Sequence, residues 1–365
     1  MPGLLQRPGD QYTAVMLISR IVRTALVLSV CFLIVPSAAW ALHTTPLPGE
    51  WTDAFSVGSL PDGSLLVAQR SGLIDRLVPE GNSFQPPQVW ADLGNNGQYE
   101  LLGFAIDPDF LSSGYVFAAL KTLGTSQPIV RLTRWRSSAG LVVLNRVLVD
   151  SLPSGPDREG GVLKVSPDGH LWLGIGDGGA APAEVTPGNL RGVLLRYNAD
   201  GSVPGDNPDP TSPVWAWGFR DPGALAWQPD TGRLYSLDRG PAVPRGTNDR
   251  LDIVEKGGDY GWPRYTARDW ARGIIRAVTF CSSGHSWVPN GAVFAVKGEW
   301  AGSLLFAGSG QGYLYRLSMD EKAPGKITFY DEMIQGDLGP LMDVALGVDG
   351  EVYLLSQAKV YKIAP

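Results

Sequence analysis

The chain has 365 residues, 44% of them apolar and 18% charged, and a formal charge of -6. An acidic chain with no basic stripe interleaved with aromatics repels phosphate backbones, which argues against nucleic acid as a partner. Its length exceeds what one hydrophobic core usually covers, so either two domains or a repeat architecture is expected.

Residues 20–41 read as a secretory signal: a basic flank at Arg20 and Arg23, an apolar run from Thr24 to Val35, and a small-residue end at Ala39-Trp40-Ala41. Cleavage is expected after Ala41, and Met16, just before the flank, is a second start. The run is shorter than the roughly 20 apolar residues of a membrane span, and nothing downstream approaches that length. The expectation is an exported protein, periplasmic or secreted, without stable membrane insertion. Cleavage removes three arginines and one aspartate and leaves residues 42–365 with a charge of -8. Cys31 lies inside the signal behind Val30, too large for a lipoprotein site. Cys281 then stands alone, which excludes an intramolecular disulfide and a cysteine metal centre.

Glycine (46) and proline (29) are frequent, and long amphipathic stretches at helical period are missing, as for many short strands joined by turns. A strand, a turn related to Pro-Asp-Gly and a second strand recur about every 50 to 70 residues. The copies run from Ser59 to Val67 around Pro61-Asp62-Gly63, Phe104 to Ala118 around Pro108-Asp109, and Val165 to Leu173 around Pro167-Asp168-Gly169. Three more run from Ala226 to Tyr235 around Pro229-Asp230, Val293 to Phe306 around Gly298, and Ala345 to Tyr353 around Asp349-Gly350. Proline fixes φ, Asp caps the turn and Gly takes the positive φ of a tight hairpin. Hairpins of this kind bury their faces only by stacking around an axis, so the predicted fold is an all-β, six-bladed β-propeller over residues 42–365. Trp172, Trp215, Trp227 and Trp300 are read as blade packing, as are Trp217 and Trp262.

Loops that interrupt the repeat are where function is expected. They are Asp157-Arg158-Glu159-Gly160-Gly161, Gly176-Asp177-Gly178-Gly179, Arg220-Asp221-Pro222-Gly223, Asp238-Arg239-Gly240-Pro241, Asn248-Asp249-Arg250 and Gly258-Asp259-Tyr260-Gly261-Trp262-Pro263. With Leu101-Leu102-Gly103 through Asp109-Phe110 and Asn189-Leu190-Arg191-Gly192, they resemble the soluble glucose and sorbosone dehydrogenases. These are the pyrroloquinoline-quinone (PQQ)-dependent aldose sugar dehydrogenases, exported six-bladed propellers. The likeness runs from about Leu47 to the C-terminus.

The resemblance implies an oxidoreductase acting on a sugar hydroxyl, with PQQ and calcium as cofactors. A histidine before Gly-Gly would take the anomeric proton, oriented by an aspartate. The aspartate is Asp177, but the histidine position holds Arg158, which has no lone pair to accept a proton. Gln98 and Asp157 match sugar contacts, although an Asp beside an Arg also reads as a surface pair. Of the cations that hold the quinone carboxylates, Arg220 matches, the lysine position falls near Gln311, and the last motif reads Gly339-Pro340-Leu341-Met342-Asp343-Val344 without arginine. Calcium would be held by carbonyls of Gly240 and Pro241 with Asp249 nearby, or these are a loop turn. Arg158, Arg239, Arg245 and Arg250 are read as solvated loop charges in preference to a rebuilt anion pocket.

Three readings follow. One keeps the dehydrogenase, with Asp157 or Asp177 as a relocated base. Another is a propeller without redox chemistry that binds a carbohydrate or envelope partner through Gln98, Asp157, Arg220 and exposed tryptophans. The last is a calcium-dependent hydrolase of the propeller lactonase kind, with Asp177, Asn189, Asp221 and Asp249 gathered on a metal-bound water.

Overall fold

The computed structural model describes residues 42–365, apart from 245, 270, 282, 283 and 321. The expected signal and its cleavage point lie outside the described residues, as does Arg245. Six four-stranded antiparallel sheets form a six-bladed propeller, as the repeated hairpins predict. Each hairpin copy joins the first and second strands of one blade. In blade one these are Ala54–Ser59 and Leu65–Gln69, in blade three Gly160–Val165 and Leu171–Ile175, and in blade four Pro222–Trp227 and Leu234–Asp238. The first strand of each blade touches that of the next, and the ring closes between Leu341–Leu346 of blade six and Ala54–Ser59 of blade one. His43–Pro46 completes blade six as its outermost strand, pairing with Val360–Ala364. No helix among the described residues is long and apolar enough to cross a membrane.

A blade is covered on both faces, so its inner strands read as unbroken apolar runs instead of alternating ones. Leu65 and Val67 pack toward blade six, and Leu66 and Ala68 toward blade two. In blade five, Leu304 and Phe306 face blade four while Leu305 and Ala307 face blade six. Each blade boundary has its own apolar cluster, so the stability of the ring is distributed over repeated interfaces.

Every innermost strand carries a register irregularity near its start, such as those between Leu101 and Gly103, Pro222 and Ala224, and Leu341 and Asp343. These bulges turn the strands toward one another around the axis, and glycine permits the approach. A Cβ on Gly103 would overlap the Gly161 carbonyl oxygen, and one on Gly161 would sit 2.7 Å from the Leu102 Cβ. Gly103→Ala is therefore expected to cost about 3 kcal/mol by overpacking. Gly169→Ala, at φ 84° in an open turn, should cost about 1 kcal/mol through backbone strain alone. Guanidinium unfolding of the two variants checks the contrast, and equal losses would mean that the axial contacts give way.

Candidate functional site

Chain direction decides which loops can cooperate. First strands start at one rim, the hairpin turns lie at the opposite rim, and second strands return. Connections between blades and those after second strands therefore share the first rim. Gln98, Asp157, Arg158, Asp177, Arg220, Gly240, Pro241, Asp249 and Gln311 all fall on such connections. Trp262 arrives differently. It belongs to the long segment between Arg250–Ile253 and Thr279–Phe280, which climbs beside blade three through a parallel bridge between Trp217 and Asp259. The Tyr260 ring, fully buried, stacks on Phe219 at 4.5 Å. Arg250 donates to the Tyr260 carbonyl at 2.7 Å and is held by both oxygens of Asp252 at 2.8 and 2.7 Å.

Arg158 is the centre of the cluster. Its φ of 49° is rare for a residue with a side chain and aims it back over its own loop. Nε donates to Asp177 at 2.7 Å and Nη1 to Asp157 at 2.6 Å. Asp177 is buried, and its oxygens also accept from the Gly179 amide at 2.9 Å and the Trp262 indole at 3.0 Å. Burial pulls the Arg158 pKa down, but the hydrogen bond and charge of Asp177, with Asp157, outweigh it and hold the guanidinium above its usual value. The group at the expected proton-accepting position is thus a fixed cation.

Arg220 lies 5.6 Å from the centre of the Trp262 ring and donates through Nη1 to the carbonyls of Arg239 and Gly240 at 3.1 and 2.9 Å. That contact bears on the expected calcium site, because the Gly240 carbonyl is already capped by a cation. Asp249 is fully buried, with Oδ1 taken by the Gly240 amide at 2.9 Å and Oδ2 by the Val288 amide at 2.8 Å and the Thr247 hydroxyl. Among the described residues, no group of three or more His, Cys, Asp or Glu could hold a metal ion. The expected calcium centre at Gly240, Pro241 and Asp249 has no support in this arrangement, and the alternative reading of a loop turn describes it. The four-residue hydrolase centre does not assemble either. Asn189 is exposed and donates to Glu184, while Asp221 accepts from the Gly160 amide at 3.0 Å and from Arg239 at 3.1 Å.

Other expected positions stand apart from the cluster. Gln98 is exposed and accepts from Asn95 at 2.7 Å, and Gln311 accepts from the Ser286 amide at 3.2 Å. No hydrogen bond among the described residues joins either to Arg158. Two of the arginines read as solvated loop charges are engaged instead: Arg250 is buried, and Arg239 spends Nε, Nη1 and Nη2 on Pro289, Asp221 and Asn290. Trp262, read as packing, touches Asp177 and Arg220 instead.

A tri-anionic quinone needs several free cations. Arg220 is engaged with carbonyls, Arg158 with two carboxylates, and Gln311 carries no charge, so the residues present do not fit the group even though the fold can carry its site.

Arg70 was not expected from sequence, and Asp238 only as part of its loop. Asp238 is buried beneath Arg220 and accepts from the amides of Arg220 and Asp221, the shortest at 2.7 Å. Arg70 and Arg239 each follow the second strand of their blade, blades one and four, so in a ring of six they approach the axis from opposite sides. The common offset from the hairpin copies is the sequence signal that could have paired them.

Comparisons with known proteins agree with this architecture. The chain is 28% identical over 290 residues to quinoprotein glucose dehydrogenase B of Acinetobacter calcoaceticus, spanning 66% of this chain and 58% of that protein. It is 28% identical over 253 residues to an aldose sugar dehydrogenase of Escherichia coli, spanning 63% of this chain and 65% of the relative. The chain thus spans less than two thirds of the length of both. A crystal structure described as a putative oxidoreductase (glucose dehydrogenase) from Thermus thermophilus superposes with a TM-score of 0.77 at 27% identity, covering 88% of this chain and all of that one. The Glucose / Sorbosone dehydrogenase model matches residues 51–364, and the chain belongs to that family.

Proposed function

We propose that this protein is an exported, sugar-binding member of the family that has replaced its proton-accepting centre with an ion-pair clamp. The observation that carries the reading is the Arg158 fork. A guanidinium tied to two carboxylates keeps its proton, so it orients and donates but does not abstract. Asp157, its side chain 56% exposed, and Arg158, 26% exposed, are the members of the ion-pair trio that reach solvent. In such a pair the carboxylate accepts from one hydroxyl and the guanidinium donates to its neighbour, the pattern a vicinal diol presents. Export rests on the basic flank, apolar core and small-residue end of residues 20–41.

A second reading keeps sugar oxidation, with PQQ and calcium supplied and Asp157 as the base. Family membership and the exposure of Asp157 favour it. PQQ would supply a two-electron acceptor when bound. Titrating residues 42–365 with aldoses in a calorimeter, then with PQQ and calcium in a dye-reduction assay, separates the readings. Sugar binding without dye reduction is expected for the parent and for Arg158→His alike. Turnover by the parent would establish the second reading. Turnover only by Arg158→His would mean that the quinone pocket is intact and the base alone is missing, a rate difference of roughly 100-fold or more. Binding of no aldose would remove the sugar-binding proposal.

A further inference from the structure

We propose that the propeller axis binds a small inorganic anion of halide size between Arg70, Lys164 and Arg239. The inference does not depend on what the rim does. Innermost strands of all six blades line a cavity of about 40 Å³ on the axis, room for about three water-sized bodies. The glycines of the bulges set this size. A Cβ on Gly223 would overlap the Pro289 carbonyl, and one on Gly291 would overlap the Asp343 carboxylate. A sugar does not enter such a space, but a halide does.

Charge is what makes the cavity a site. Arg70, Lys164 and Arg239 all line it. Arg239 is paired with Asp221 at 3.1 Å. Arg70 lies over the Phe55 ring at 4.1 Å and donates through Nη1 to the carbonyls of Leu101 and Leu102 at 3.3 and 3.2 Å; no carboxylate among the described residues forms an ion pair with it. Lys164, from the first strand of blade three, makes neither a hydrogen bond nor an ion pair among the described residues. Asp343 also lines the cavity, but its oxygens are taken by Ser56, the Val57 amide and the Val344 amide at 2.8, 3.0 and 2.9 Å. Burial raises its pKa, against the pull of Lys164, which weakens it as a counter-charge. Burial lowers the Arg70 pKa, and Arg239 adds to that, partly offset by the charges of Glu100, Glu159 and Asp221. Arg70 and Lys164, both half-buried, line the cavity without ion-pair partners among the described residues, and an anion between them offsets part of the cost of their burial. A halide fits the volume and needs only donors, which guanidinium and ammonium groups supply.

The test compares thermal unfolding of residues 42–365 in sodium bromide and in sodium gluconate at equal ionic strength, gluconate being too large for the cavity. A saturating rise of about 5 °C in bromide, absent in gluconate and lost in Lys164→Met, is expected. Crystals grown in bromide should give an anomalous bromine peak on the axis among the three cations. Equal unfolding temperatures in the two salts, with no bromine peak, would overturn the proposal and leave the cavity to water. If Lys164→Met does not fold, the parent comparison and the bromide crystal decide the matter by themselves.

Discussion

Asp252→Ala should lower the unfolding free energy by about 3 to 5 kcal/mol, because it strands a buried arginine without its counter-charge. Asp252 is fully buried and meets Arg250 through two parallel hydrogen bonds of 2.8 and 2.7 Å. The damage should reach the rim as well. Arg250 also ties down the carbonyls of Tyr260 at 2.7 Å and Ile275 at 3.1 Å, so its release loosens the segment that delivers Trp262 to Asp177. Denaturant unfolding reads the first effect, and tryptophan fluorescence of the folded variant reads the second. The control is Asp150→Ala, which breaks the exposed pair with Arg131 and should cost less than about 1 kcal/mol. Similar losses for the two variants would show that the Arg250 pair is no anchor.

Stability should also fall as pH rises from about 4 to about 7, and Asp238 is the reason. Burial pushes its pKa up to about 7, against the amides of Arg220 and Asp221 and the charge of Arg250, while the charge of Asp221 adds to the rise. The unfolded chain titrates this group near 3.8. Between those values the folded state holds the proton and the unfolded state does not. The contribution of Asp238 is therefore complete below pH 4, declines by about 1.4 kcal/mol per pH unit, and levels off above pH 7. The total is about 4 kcal/mol. Asp238→Asn keeps an oxygen for both amides and cannot ionise. Its advantage over the parent should grow across that window and stay constant above it. Unfolding curves of both proteins at several pH values make the comparison, and a difference that does not vary with pH would exclude a buried proton at Asp238.

The parts of the fold legible in the sequence are those made by local chemistry. Each hairpin turn is decided within a few residues by Pro, Asp and Gly, and all six join the strands they were read to join. The outermost strands were harder, because their identity depends on partners elsewhere. Thr279–Phe280 is two residues long and becomes a strand only beside Arg250–Leu251. His43–Pro46 is four exposed residues with no pattern of their own.

The site divides the same way. The Arg158 loop and Asp177 were readable, since both flank the third hairpin. Trp262 was not, because the segment carrying it ascends beside another blade before reaching Asp177. Gly240 and Asp249 were read from their residue types, but a carbonyl facing a guanidinium and a carboxylate filled by three donors make poor metal ligands. Here the Arg220 guanidinium and three neighbouring donors have claimed them.

The pairing of His43 with Ala364 also governs how the ring is made. Five blades assemble from neighbouring sequence, so they can form in turn as the chain becomes available. The sixth borrows its outer strand from the opposite end of the propeller, a contact of the greatest sequence separation the fold contains and so of high entropic cost to close. Until it forms, blade six keeps an unpaired edge along Val360–Ala364, the kind of edge that recruits strands from other molecules. Closure of the ring is thus both its strand pairing of greatest entropic cost and its guard against self-association.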